Sequence, residues 1–223
     1  MKEKKVLIIG GSSGIGLALA RQVREQGAHV IIASRSATQK ANKLRETKLL
    51  EDCEYFSVDI TVESEIENLL EQTGNIDHIA ITVKAPLNIS PFIELNTQHV
   101  RQDFETKLWG QYNLAKLAYK RINPGGSIIF SSGTLGSRPY VGFSTMSIIS
   151  GSIESLCKAL ALELAPIRVN VVCPGFKTLK EMEEKIPLGL GRDSQISNAY
   201  LFLMNDSYTT GTTIVSDGGA TII

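Results

Sequence analysis

Short runs of Val, Ile and Leu alternate along the chain with longer amphipathic stretches. Val6–Ile9 reads as a strand, and Ile15, Leu19 and Val23 recur at i, i+4 and i+8, which predicts a helix over Gly14–Gln26 that Gly27 stops. The same reading gives a strand at His29–Ala33, a polar helix at Thr38–Leu50, a strand at Glu54–Val58, a helix at Val62–Gln72 broken by Gly74, and a strand at Ile76–Val83. Two long helices follow, Thr97–Ile122 and Phe143–Ala165, with a strand at Ser127–Ser131 between them, announced by Pro124-Gly125-Gly126. Ile167–Val172, ended by Pro174-Gly175, is the next strand, and a helix at Ser194–Met204 and a strand at Thr212–Val215 complete the order. Near-continuous Val/Ile/Leu strands are those buried on both faces, and their alternation with helices requires right-handed crossovers. The expected class is therefore α/β, a parallel sheet with helices on both faces. No repeat, linker or low-complexity segment interrupts the pattern, so residues 1–223 read as one domain.

The two long helices carry more apolar surface than one core-facing stripe needs. Phe104, Leu108 and Tyr112 form one row, with Trp109, Leu117 and Tyr119 partly off it; Ile149, Ile153 and Leu156 form another, extended by Ile148 and Leu160. A second apolar face asks for a second partner, and a homo-oligomer, dimer or tetramer, built through these helices is expected.

Charge narrows the function classes. With 23 basic and 23 acidic residues the net charge is zero, which removes a general electrostatic case for nucleic acid or an anionic membrane. A composition of 43% hydrophobic and 21% charged residues excludes wholesale disorder. Cys53, Cys157 and Cys173 are far apart, and His29, His78 and His99 lack metal-ligand spacing, so neither a disulfide framework nor a metal site is expected. The basic start Lys2–Lys5 before Val6–Ala20 imitates a signal peptide, but the block Gly10–Gly14 is all glycine and serine and would interrupt its helix. No apolar run approaches the ~18–20 residues that span a bilayer. A cytoplasmic protein is expected.

The chemistry begins at Ile9-Gly10-Gly11-Ser12-Ser13-Gly14-Ile15-Gly16, which joins the first strand to the first helix. Its G-x-x-x-G-x-G spacing is a variant of the dinucleotide fingerprint: missing side chains let backbone approach a pyrophosphate, and the helix start offers free N–H groups. The second strand ends in Ser34-Arg35 rather than a carboxylate. A guanidinium there pairs with a 2′-phosphate, which favours NADP(H) over NAD(H).

Taken together, several stretches resemble the short-chain dehydrogenase/reductase family nearly from end to end. Ile9–Gly16 is similar to its T-G-x-x-x-G-x-G, and Val58-Asp59-Ile60 to the pair whose aspartate lies beside the adenine. Gly126–Ser132 is similar to the strand ending in the catalytic serine, and Leu160–Ala165 with Ile167–Gly175 to L-A-x-E-L-A…I-R-V-N-x-V-x-P-G. Thr210-Gly211 and Val215–Gly219 resemble its closing T-G…V-D-G-G. The resemblance implies a Rossmann-type doubly wound sheet of seven strands in the order 3-2-1-4-5-6-7. It implies cofactor contacts at Gly10, Ser12, Ser13, Gly14, Ile15 and Gly16, at Ser34 and Arg35, at Asp59 and Ile60, and at Pro174, Gly175 and Thr178.

The catalytic positions depart from that pattern. N-N-A-G corresponds to Ile81-Thr82-Val83-Lys84, and the asparagine of N-x-x-G to Lys107. Counting back from Leu160 puts the tyrosine of Y-x-x-x-K at Met146 and its lysine at Ser150, so that of the usual four only Ser132 remains. Met146 has no proton to give and Ser150 no charge. Tyr140 reads either as a packed loop residue or as a substitute acid, and Lys107 either as a lysine reaching solvent or as a cleft ammonium of lowered pKa. Lys84 and Lys177 border the same cleft, and the short segment after Thr178 encloses only a small substrate. Two functions stay open: an NADP(H)-dependent oxidoreductase with a rebuilt centre at Lys107 and Ser132, acting on a small carbonyl or alcohol, or a dinucleotide-binding sensor or inactive partner subunit.

Overall fold

The computed structural model describes residues 1–84, 88–178 and 180–223. Seven strands form one parallel sheet in the order β3-β2-β1-β4-β5-β6-β7. They are β1 (Lys5–Ile9), β2 (His29–Ala33), β3 (Glu54–Phe56), β4 (Ile76–Ile81), β5 (Ile122–Ser131), β6 (Arg168–Pro174) and β7 (Thr213–Ser216). The order expected from the resemblance is the observed one.

Strand periodicity sorts the core into two layers. Leu7 and Ile9 of β1 pack with Ile31, Ile79 and Phe130 under α3 (Glu63–Thr73), α5 (Gly110–Ala118) and α6 (Ser144–Glu163). Their neighbours Val6 and Ile8 face the other way, against Leu19 and Val23 of α1 (Gly14–Glu25) and Tyr200 and Leu203 of α7 (Asp193–Asn205). α2 (Ala37–Arg45) follows β2 and buries only Ala37 and Ala41, which accounts for its polar sequence. Side-chain bonds from Gln22 to Ser194 and Asn198, and between Asn205 and Gln26, lay α1 and α7 side by side in the same direction.

The expected helix over Thr97–Ile122 differs from a single α-helix. α4 (Thr97–Phe104) passes into a π-helical turn, Glu105–Trp109, before α5 begins, and Ile122 already pairs with Ile76 in the sheet. The wider turn is stapled by Gln111, fully buried, whose amide donates to the Lys107 carbonyl (2.6 Å) and the Ser131 carbonyl (3.2 Å) and accepts from the Ser131 N–H (3.0 Å). Such turns are a frequent feature of functional sites.

Several residues of the family-like motifs are structural. The Arg168 guanidinium caps the C-terminus of α7 by donating to the carbonyls of Leu203 (2.6 Å) and Met204 (3.3 Å). Asn170 pins the approach to β7 through the Thr209 carbonyl and the Thr212 N–H. The three thiols are buried and separate, and burial pushes Cys53 up to about 11 and Cys157 and Cys173 to about 12. Among the described residues no helix is long and apolar enough to cross a membrane, and no His, Cys, Asp or Glu cluster could hold a metal.

His78 sits inside the sheet with its Nδ1 2.9 Å from the Ser127 hydroxyl. Burial, reinforced by Arg168, pushes its pKa from 6.5 down to about 4. Between those values the unfolded chain binds the proton that the folded one refuses, so stability is complete above about 6.5 and falls as pH drops towards 4. The shift corresponds to on the order of 3 kcal/mol. Urea unfolding at pH 7.5 and 4.5 should differ by about this amount, and His78→Gln should remove most of the difference.

Candidate active site

The C-terminal ends of the strands hold two adjoining cavities, each about 210 Å³. The first lies over the loop between β1 and α1. Gly10 takes φ +82°, and a Cβ on it would stand 2.7 Å from the Thr82 hydroxyl; on Gly16 it would stand 2.4 Å from that hydroxyl and 2.5 Å from the Gly10 carbonyl oxygen. Both positions therefore require glycine. Thr82 holds the loop to β4 by donating to the Ile9 carbonyl at 2.8 Å.

Sequence-predicted residues Gly10, Ser12, Ser13, Ile15, Ser34, Arg35, Asp59 and Ile60 all line this cavity. Ser34 and Ser12 share a 2.8 Å hydrogen bond at the end of β2. Asp59 is shaped by Thr61, whose N–H and hydroxyl donate to Oδ1 at 3.0 and 2.8 Å. Lys40, from α2, stands with Arg35 on the same wall and was not singled out in the sequence. Two cations beside serine hydroxyls, with no carboxylate at the end of β2, suit a phosphate monoester.

The second cavity brings together Ile15, Lys84, Lys107, Ser132, Met146, Pro174, Gly175, Lys177 and Thr178. Lys107 does not reach solvent: it is 5% exposed, and its ammonium donates to the Val83 carbonyl at 2.8 Å. Burial pushes its pKa from 10.5 down to about 8, and the charge of Lys84 adds to the push. Its position follows from the π turn, which the Gln111 staple fixes against β5. Ser132 lines the cleft, with its hydroxyl donating to Glu154 at 3.0 Å. Glu154 lies two turns beyond Met146 on α6, and its part in the site comes from its contact with Ser132 on another element.

Of the residues expected at the tyrosine and lysine positions, Met146 lines the cleft and Ser150 is fully buried. The Ser150 hydroxyl has no hydrogen-bond partner among the described residues, and a Cβ on Gly136 would touch the Ser150 Cβ at 3.0 Å. Tyr140 packs edge-on against Phe176 (5.7 Å between ring centroids) while its hydroxyl accepts from Arg138 and donates to the Ala220 carbonyl. That is the packed reading of Tyr140, not the acid one. The lid beyond Thr178 is short and pinned, with Met182 and Ile186 buried against Ala220.

Sequence similarity runs through the whole of this framework. Residues 10–221 match the family model described as enoyl-(acyl carrier protein) reductase. A short-chain dehydrogenase/reductase of Stachybotrys chlorohalonatus, ATR9, is 32% identical over 99% of this chain and 98% of its own. The chain belongs to the short-chain dehydrogenase/reductase family. Among other members, the 3-oxoacyl-[acyl-carrier-protein] reductase of Homo sapiens is 30% identical over 99% of both chains. A solved small-chain dehydrogenase in complex with NADPH is 29% identical and superposes over 100% of both chains with a TM-score of 0.86. Within the short-chain dehydrogenase/reductase frame, the second cavity of this chain is lined by Lys84, Lys107 and Lys177 together with Met146 of α6.

Proposed function

We propose that this chain is an NADPH-dependent reductase of a small carbonyl compound in which Lys107 supplies the proton. The observation that carries the reading is the buried Lys107 ammonium in the cleft wall, with a pKa near neutrality at about 8. An acid of that pKa is mostly charged at pH 7 and gives up its proton readily. Arg35, Lys40 and the Ser12–Ser34 hydroxyls fit the 2′-phosphate, and the glycine at 16 leaves the loop room that a Cβ would fill. The neighbouring NADPH complex and the whole-chain match to its fold support the same cofactor.

When bound, the nicotinamide supplies the hydride. Lys107 hydrogen-bonds the substrate carbonyl oxygen, stabilises the negative charge that grows there and passes it a proton. The neutral amine stays held by the Val83 carbonyl and recovers its proton from water that enters the cleft once the product has left. Met146 and Leu135 give the cleft an apolar wall, and the short pinned lid suits a small substrate. Calorimetry with NADPH and NADH, followed by single-turnover absorbance with a panel of carbonyl compounds, tests the reading. Tight NADPH binding with oxidation by at least one carbonyl is expected.

Met146 and Ser150 favour a second reading, a dinucleotide-binding sensor. It predicts NADPH binding with no oxidation by any member of the panel.

The assembly we propose is a homo-oligomer through α5 and α6. Between them runs a groove lined by Tyr112, Tyr119, Leu160 and Leu164, and Trp109, 46% exposed, stacks edge-on against Tyr112 beside it. Buried aromatic anchors dominate such contacts. Light scattering at micromolar concentration should give at least twice the 24.3 kDa chain mass, and Trp109→Glu should give the monomer. A monomeric wild type would overturn the assembly.

A further inference from the structure

Three charged side chains from other elements gather over the glycine-rich loop. A Cβ on Gly14 would lie 3.7 Å from the Lys84 ammonium, 3.8 Å from the Lys177 ammonium and 3.7 Å from the Asp193 carboxylate. These groups come from three separate places: the loop after β4, the segment after β6, and the first turn of α7. Lys177 is ion-paired to Asp193, whereas Lys84 makes no ion pair among the described residues. Gly14 itself takes φ +56° and presents no side chain, so the three charged tips converge on the point a Cβ would occupy.

Two ammonium groups and one carboxylate cannot all be at rest around a diphosphate. The lysines match its oxygens, and the carboxylate repels them. From this geometry we infer that Lys84 and Lys177 clamp the pyrophosphate of the bound dinucleotide and that Asp193 is an internal competitor for the same place. The inference rests on the NADPH reading above. On binding, Lys177 exchanges the Asp193 carboxylate for a phosphate oxygen, and Lys84 closes from the other side. Asp193 lies in the first turn of α7, where a carboxylate complements the helix dipole, so it keeps a favourable place after the exchange. The arrangement makes affinity adjustable from a residue that touches neither the adenine nor the nicotinamide.

Calorimetric titration with NADPH, and separately with inorganic pyrophosphate, tests this on the intact chain. Lys84→Gln and Lys177→Gln should each weaken NADPH binding by roughly tenfold, the scale of one charge-assisted hydrogen bond. Asp193→Asn should tighten NADPH and pyrophosphate by roughly threefold to tenfold, and should still tighten both in a Lys177→Gln background, because the repulsion acts on the ligand directly. Unchanged NADPH affinity in both lysine variants, or weaker binding in Asp193→Asn, would overturn the clamp while leaving the cofactor assignment standing. Failure of the wild type to bind NADPH while it binds pyrophosphate would overturn the dinucleotide reading but not the anion site. Binding of neither would overturn both.

Discussion

Lys107→Met should slow carbonyl reduction severely and make the protein more stable. Loss of a positioned acid lowers the rate by about 10²–10⁴. The stability gain follows from the sign of the pKa shift. Lys107 has a folded pKa of about 8 against 10.5 in the unfolded chain, so the native state gains stability from it only as pH rises through that window. At pH 7 the folded protein therefore carries the full cost of burying the charge, on the order of 3 kcal/mol. Methionine removes that cost but leaves the Val83 carbonyl without its donor, which returns about 1 kcal/mol. A net gain of roughly 2 kcal/mol corresponds to a rise of several degrees in Tm for a chain of this size. Lys107→Arg separates charge from proton transfer, since a guanidinium cannot deprotonate near neutral pH. It should bind substrate and remain slow. An inactive Lys107→Met that is also less stable would point to a structural role for the lysine.

The paired substitution Arg35→Ala with Lys40→Ala should erase the preference for NADPH. Both cations line the first cavity, and its acidic lining residue, Asp59, comes from beyond β3 and accepts from Thr61 rather than standing at the end of β2. Each exposed contact to a phosphate is expected to contribute roughly tenfold, and the pair roughly a hundredfold, to NADPH affinity. NADH affinity should stay nearly unchanged, because NADH lacks the 2′-phosphate that the two cations are expected to pair with. Calorimetry of the four protein–cofactor pairs checks both halves. Equal loss for NADPH and NADH would show that the substitutions damaged the loop rather than a phosphate contact.

How far the fold was legible depended on how local its causes are. β1, β2 and β4 were readable because strands buried on both faces must be continuous Val and Ile, and their order followed from motifs that resemble a known family. The break in the helix after Phe104 was not readable, since its π turn is held by Gln111 bonding to Ser131 on another element. The same holds in the site. Arg35 was visible because it follows the end of a strand, whereas Lys40 comes from the next helix. Lys107 was visible by position, but its burial was set by Val83 and the packing around it. Glu154 and Asp193 acquire meaning only from partners distant in the chain, Ser132 and Lys177.

The pH dependence of single-turnover NADPH oxidation tests the central claim most directly. A general acid works in its protonated form, so the account predicts a rate that is level at lower pH and falls tenfold per pH unit above about 8, the value to which burial pushes Lys107. In Lys107→Met the residual rate should lose that fall. A wild-type rate that stays level from pH 6 to about 10, or that rises with pH, would contradict the assignment of Lys107 as the proton donor.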